Sequence, residues 1–154
     1  MCYVKRRVSR IERITRGDLL GVGGHRLLIW DCDAGARCAV SLVEQRTRHR
    51  TELPAARAAL LAAASGSIDD LVNSENQLSP DGTSLAVTIL DGNGVFRLHV
   101  INLVTGRADT LPGATTDCNP NRQMAWTPNS RWLLALTDHQ VRGYDTSTRR
   151  TRHR

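Results

Sequence analysis

The chain has 154 residues, of which 40% are hydrophobic, 4% aromatic and 23% charged, with a formal net charge of +6. That length supports one domain burying roughly 68–70% of its unfolded surface, and the apolar share excludes disorder of the whole chain. Residues 1–16 carry six basic residues against Glu12 and residues 142–154 carry five against Asp145, so the body between them is net acidic. The charge therefore reads as two solvated basic ends, and nucleic acid is not an expected partner. Binding of the arginine-rich ends to an anionic surface is the weaker reading, and it would require steep salt dependence. No apolar run approaches the roughly 18 residues of a membrane span. The charged start is not followed by an apolar leader core, so the sequence as it stands reads as cytoplasmic; a longer parent with its own leader would make it extracytoplasmic.

Residues 1–17 form a basic N-terminal segment. Val4, Val8, Ile11 and Ile14 fit one helix face, and a linker or a strand remnant fits as well. From Asp18 the pattern changes. Residues 19–25 run from apolar residues into a glycine-rich turn at Gly23-Gly24-His25, and residues 26–30 are a short apolar run. Residues 31–37 are turn-like, residues 38–44 strand-like, and Leu53-Pro54 closes the unit. Short strands between turn clusters predict an all-β fold. The alanine-rich stretch 55–64 interrupts the pattern, and either a helical turn or an inserted loop fits it.

A strand is predicted over residues 68–78, entering Ser79-Pro80-Asp81-Gly82. Pro80 pre-sets φ, Asp81 can bond its own backbone, and Gly82 accepts positive φ. A type I turn followed by a left-handed glycine is a hairpin connection. Strands follow at 85–90 and 96–101 around a turn at 91–94, and residues 108–112 close the unit. A third pass runs through residues 124–126, the turn Thr127-Pro128-Asn129-Ser130, and strands at 132–136 and 141–145. Residues 149–154 read as a basic tail.

The passes superimpose. Gly24 to Gly82, Leu27 to Leu85, Thr47 to Thr105 and Leu53-Pro54 to Leu111-Pro112 share an offset of 58. Pro80 to Pro128 and Leu85 to Leu133 share 48, and Ile101 to Tyr144 is 43. Self-similarity at about 40–50 residues, with four short strands per unit, is the signature of propeller blades. The repeats span about 18–54, 68–112 and 123–148, and an insertion at 55–67 lengthens the first offset. Gly24, Pro80, Asp81, Gly82, Pro128 and Asn129 are read as blade-turn residues that specify the fold.

Leu78-Ser79-Pro80-Asp81-Gly82 with Leu85-Ala86-Val87, and then residues 98–103 with Thr105-Gly106-Arg107, resemble the WD-like β-propeller repeat of TolB-type proteins. Residues 125–133 are a second copy in which Asn129 and Ser130 replace Asp and Gly. In the first pass Val22-Gly23-Gly24 stands where Pro-Asp-Gly would be. The resemblance implies four-stranded blades, inner strands around a channel, and a binding or scaffolding role. Such repeats also occur as domains of peptidases. Closed propellers have typically about 4–8 blades, whereas three are legible here. The expectation is an incomplete propeller, either a piece of a longer protein or one that self-associates to cover its open blade faces.

Cys32 and Cys38 flank a turn centred on Gly35 and can face each other across a hairpin. A disulfide there would need an oxidising compartment, and free thiols are the alternative. A zinc site with Cys118 and a histidine is disfavoured, because Cys-x5-Cys is not a finger spacing. Gly21-Val22-Gly23-Gly24 lacks the third glycine and the following helix of a phosphate loop. Asp117-Cys118-Asn119-Pro120-Asn121 fails the calcium-loop pattern at Arg122 and Pro128, and Asp31-Cys32-Asp33 fails similarly. There is no nucleophile elbow, and His25, His49, His99, His139 and His153 have no nucleophile or carboxylate at a recognisable spacing. Trp30, Trp126 and Trp132 suit blade packing. No catalytic, cofactor or metal residue is assigned. The expected function is a non-catalytic propeller segment that binds or scaffolds a protein. The alternative is the propeller portion of a hydrolase whose catalytic domain lies elsewhere.

Overall fold

The computed structural model describes residues 15–35, 37–64, 71, 76–91, 93–116, 124–137, 140–147 and 150–152. Among them, the strands form three four-stranded antiparallel sheets, each in sequence order. The first holds β1 (Asp18–Gly23), β2 (Arg26–Cys32), β3 (Cys38–Glu44) and β4 (Arg50–Glu52). The helix α1 (Pro54–Ala63) follows. The second sheet holds β5 (Asn76–Leu78), β6 (Ser84–Leu90), β7 (Phe96–Asn102) and β8 (Ala108–Thr116). The third holds β9 (Met124–Trp126), β10 (Trp132–Thr137), β11 (Gln140–Asp145) and β12 (Arg150–Arg152).

The sequence offsets persist strand by strand. A shift of 58 carries the starts of β2, β3 and β4 onto those of β6, β7 and β8, and a shift of 48 carries β5 and β6 onto β9 and β10. A shift of 43 carries the Ile101–Ala108 cross-strand pair onto Tyr144–Thr151.

Side chains alternate between the two faces of a strand, and in β6 both faces are apolar. Leu85, Val87 and Ile89, with Ile101 of β7, share a core with Leu20, Leu28, Trp30 and Val40 of the first sheet. Ala86, with Leu98 and Val100, shares a second core with Met124, Leu133, Ala135 and Tyr144 of the third. The second sheet is thus sandwiched between its neighbours, and β5 lies beside both β1 and β9. Face-to-face meanders with their first strands adjacent are propeller blades. The row of three is open rather than closed into a ring.

The alanine-rich stretch is a helix. Pro54 sits at its first turn, where a missing N–H costs nothing, and alanine is the best helix former. Ala56, Ala59 and Leu60 recur on one helix face and are buried. They enter the core shared by the first two sheets, where α1 packs against β3 and β7.

Three elements differ from the sequence expectation. Of the strand predicted over 68–78, Asn76–Leu78 is strand, and Leu71 is helical and buried in the α1 core. Residues 150–152, within the predicted basic tail, form the outermost strand of the third sheet. Finally, β8 runs on through Pro112 to Thr116, with its register shifting between the partners of Arg97 and His99. Proline has no N–H for a ladder, so it is confined to an edge strand or a bulge; β8 is an edge strand and bulges there. Residues 1–14, the predicted turn residues Asp138 and His139, and the loop around Cys118 lie outside the described residues.

The β5–β6 turn is pinned beneath the first blade. Gly82 has φ +74, and a Cβ there would stand 2.7 Å from Arg26 Cδ and 3.0 Å from Leu42 Cδ2. A β-branched residue is both strained at that φ and crowded by those neighbours. Gly82→Val is expected to destabilise the fold by about 2 kcal/mol or more; thermal unfolding followed by circular dichroism reads this directly. An unchanged midpoint would contradict the placement.

Candidate functional site

The turns read from sequence as blade-turn residues lie along one rim. In the second blade, Ser79 O accepts from Gly82 N–H at 2.8 Å, and Ser79 N–H donates to Ser84 O at 2.8 Å. Asp81 Oδ1 accepts from Ser79 Oγ at 2.6 Å, Thr83 N at 3.0 Å and Thr83 Oγ1 at 2.9 Å. The third blade repeats this arrangement. Thr127 O accepts from Ser130 N–H at 2.8 Å, and Asn129 Oδ1 accepts from Thr127 Oγ1 at 2.7 Å and Arg131 N at 3.2 Å. Ser130 occupies the position of Gly82 and takes its left-handed backbone, at φ 58. The β1–β2 connection is shorter. Gly24 and His25 alone join the strands, with positive φ at Gly24.

These turns are joined from blade to blade. Arg26 Nη1 donates to Pro80 O at 2.9 Å, and a Cβ on Gly24 would collide with that same carbonyl oxygen. The Asp81 amide donates to Ser130 Oγ at 3.0 Å, and Trp126 Nε1 donates to Gln77 O at 2.9 Å. Gly24, Pro80, Asp81 and Asn129 therefore sit in one continuous seam, with Pro128 in the third-blade turn beside it. Sequence reasoning missed Arg26, Trp126 and Ser130 as inter-blade donors and acceptors. Ser130 at the glycine position of the repeat was the available signal.

A second set of turns closes the opposite strand ends. Asp33 Oδ1 accepts from Gly35 N at 2.9 Å and Arg37 N at 3.0 Å. Asp91 Oδ1 accepts from Asn93 N at 2.9 Å and Val95 N at 3.0 Å. The two aspartates stand 58 apart, at the offset of the repeat. Cys32 and Cys38 are cross-strand partners next to the first of these turns. Their Cα atoms are 4.0 Å apart and their sulfurs are bonded to each other. The pair adjoins the hydrogen-bonded Asp33–Arg37 closure, so it is the non-hydrogen-bonded kind, in which side chains approach more closely.

The carboxylates are engaged by their own turns. The Arg37 backbone N–H, against a burial cost, holds the Asp33 carboxyl below its ordinary value. The Arg97 guanidinium does the same for Asp91. Partial burial pushes Asp81 up, but hydrogen bonds from Ser79, Thr83 and Ser130 outweigh it and hold the group below the usual range. Asp145 is shifted furthest. The Arg131 guanidinium reaches Oδ2 at 3.0 and 3.3 Å, while Ser147 N and Oγ reach Oδ1 at 3.0 and 2.6 Å. Its carboxyl is held well below the carboxylate range. Burial, with Arg97 nearby, pushes the His99 imidazole down, and its Nδ1 lies 3.1 Å from Thr110 Oγ1.

Between the second and third blades the rim opens into a polar cleft of about 470 Å³. Asp81, Thr83, Asn102, Arg107, Asn129 and Arg131 line it. Its two guanidiniums are tied to Asp109 and Asp145. The lining is polar, built from hydroxyl, amide, carboxylate and guanidinium side chains. The Thr83 and Ser147 hydroxyls on its lining donate to the turn carboxylates of Asp81 and Asp145. Among the described residues, no cluster of three His, Cys, Asp or Glu side chains is placed to hold a metal, and no helix is long and apolar enough to cross a membrane.

No family model matches the chain, and no curated protein matches it in sequence. Solved structures resemble it in fold. TolB from Acinetobacter baumannii is 20% identical, with a TM-score of 0.47 over 84% of this chain and 29% of that one. An acylaminoacyl peptidase from Pyrococcus horikoshii is 13% identical, with a TM-score of 0.44 over 89% of this chain and 24% of that one. A prolyl endopeptidase structure is also 13% identical, with a TM-score of 0.43 over 87% of this chain and 23% of that one. The chain therefore spans less than a third of the length of each of these three structures.

The Arg131–Asp145 pair sets an acid limit. A carboxyl whose folded pKa is depressed contributes stability that is present above its unfolded pKa, near 3.8 here, and is lost as pH falls through the folded value. Asp145→Asn is expected to lower the melting temperature at pH 7. The gap to the parent should narrow steadily as pH drops below about 4. A gap independent of pH would show that the charge contributes nothing.

Proposed function

We propose that this chain is a non-catalytic propeller segment that serves as a protein-binding or scaffolding module within a longer TolB-like protein. The observation that carries the reading is where the recurrent polar residues spend their hydrogen bonds. Asp33, Asp81, Asp91, Asn102, Asn129 and Asp145 each accept backbone N–H groups within their own turn. A general acid or base needs a free lone pair or proton facing a substrate, whereas these groups are committed to holding strand ends in place. What remains for recognition is the outer polar surface of the rim, with the threonines and arginines of the inter-blade cleft. Loops on a rigid scaffold are where binding residues concentrate.

The test compares partner retention by the chain with retention by a cleft-filled variant, Thr83→Arg with Thr105→Arg, checked for an unchanged circular dichroism spectrum. The expected result is a protein retained by the parent and lost from the variant, with no hydrolysis of peptide or ester substrates by either. Equal retention by both, or turnover by the purified parent, would overturn the reading.

A further inference from the structure

The Cys32–Cys38 disulfide closes a hairpin that its backbone already closes. β2 and β3 pair continuously from Arg26–Glu44 to Cys32–Cys38. Beyond that pair, Asp33 N–H donates to Arg37 O at 3.0 Å, Asp33 Oδ1 accepts two turn amides, and the Arg37 guanidinium reaches Asp33 Oδ2 at 2.9 Å. The second blade builds the same hairpin without a disulfide. The 58 offset puts Leu90 and Phe96 at the cysteine positions, where they too are cross-strand partners. Asp91 takes the place of Asp33. Its N–H donates to Val95 O at 2.8 Å, its Oδ1 accepts from Asn93 N and Val95 N, and Arg97 reaches its Oδ2 at 2.6 Å. Neither the ladder nor the turn therefore depends on the sulfur–sulfur bond. The bond also spans a sequence separation of only 6, where loop closure constrains the unfolded chain least.

The two cysteines sit in different surroundings. Cys32 is exposed. Cys38 is half-buried and packs against the core shared by the first two sheets. It also lines a cleft of about 630 Å³ with Asp31, Asp33, Arg37, Arg50 and Glu52. A thiolate arriving from solvent thus meets Cys32, while core packing and the ladder hold Cys38 opposite it. Exposed disulfides are the exchangeable ones, and their rate of exchange depends on access to the attacked sulfur.

We propose that Cys32–Cys38 is a site of reversible thiol–disulfide exchange that takes up a hydrophilic low-molecular-weight thiol on Cys32 without unfolding of the blade. The incoming thiol loses its proton to solvent, and its thiolate attacks Cys32 Sγ. A sulfur–sulfur bond forms between that thiol and Cys32 as the Cys32–Cys38 bond breaks. The electron pair of the broken bond leaves on Cys38 Sγ, which takes a proton from solvent. Attack of a second thiol on the mixed disulfide completes a two-electron reduction, giving the Cys32 and Cys38 thiols and the oxidised thiol dimer. Attack by the Cys38 thiolate instead expels the first thiol and restores the bond. Strand pairing keeps the two residues opposite each other, so this return is intramolecular. The guanidiniums and carboxylates of the adjoining cleft suit a thiol that itself carries carboxylate and ammonium groups. The exchange goes beyond the binding role proposed above and does not depend on it.

The test uses the oxidised chain with Cys2→Ser and Cys118→Ser, so that only the pair can react. If those substitutions alter the circular dichroism spectrum, the four-cysteine chain is used and its adducts are mapped to individual cysteines. Reduced glutathione is the probe, added under native conditions and in denaturant, with acid-quenched samples read by intact and peptide mass. The native exchange rate is expected to lie within about tenfold of the denatured rate. The adduct should map to Cys32, and the circular dichroism spectrum should persist after full reduction. Cys38→Ser removes the returning thiol, so it is expected to retain on Cys32 the adduct formed with oxidised glutathione. A native rate more than about a hundredfold below the denatured one would show that the bond opens only with the fold, and would overturn the proposal. Loss of the spectrum on reduction, an adduct on Cys38, or a Cys38→Ser chain that takes up no glutathione would overturn it as well.

Discussion

A four-stranded sheet with apolar residues on both faces is stable to the extent that both faces are covered. Everything else in this molecule follows from that constraint. The second sheet satisfies it, since odd-numbered residues of β6 face the first sheet and even-numbered ones face the third. Fully burying a leucine or valine side chain is worth about 1.5–3 kcal/mol, so these two cores dominate the stability of the row. The helix α1 extends the first core at the outer side of the sheets, where Leu60 and the small faces of Ala56 and Ala59 fill space that strands alone would leave open.

Packing sheets face to face fixes their spacing but not their lateral register. The rim supplies that. Arg26 holds the Pro80 carbonyl, the Asp81 amide holds Ser130, and the Trp126 indole holds the Gln77 carbonyl. Each bond is individually modest, about 1 kcal/mol net. Together they link successive blades at one end of the strands, where turn residues would otherwise face water. Within each turn a short acidic or amide side chain accepts the backbone N–H groups that no strand can pair. The same chemistry explains why the carboxyls of the turn residues Asp33, Asp81, Asp91 and Asp145 are held below their ordinary range.

The blades were legible in the sequence because their signals are local and recur. Apolar runs such as residues 85–90, and turn residues such as Pro80-Asp81-Gly82, report a strand and its reversal without reference to anything distant. Their repetition at 58 and 48 residues then adds the architecture. What was not legible depends on contacts between blades. Nothing near Arg26 in the chain marks its bond to Pro80, 54 residues away. Residues 55–64 left helix and loop open because ten alanine-rich residues are marginal alone, and the neighbouring sheets decide the matter. Residues 150–152 read as a tail because edge strands are commonly charged, which hides their pairing from a hydropathy pattern. Asp145 was not singled out, since its partner Arg131 lies 14 residues away in the β9–β10 turn and only the geometry unites them.

If two-sided cover is what stabilises each sheet, local stability should differ between equivalent strands of nearly equal sequence character. Native-state hydrogen exchange on the 154-residue chain measures this residue by residue. Amides of β6 at Leu85–Ile89, covered on both faces, are predicted to exchange at the global unfolding limit. Those of β10 at Leu133–Leu136, covered on one face, should exchange substantially faster. Equal protection in the two strands, or stronger protection in β10, would contradict the account.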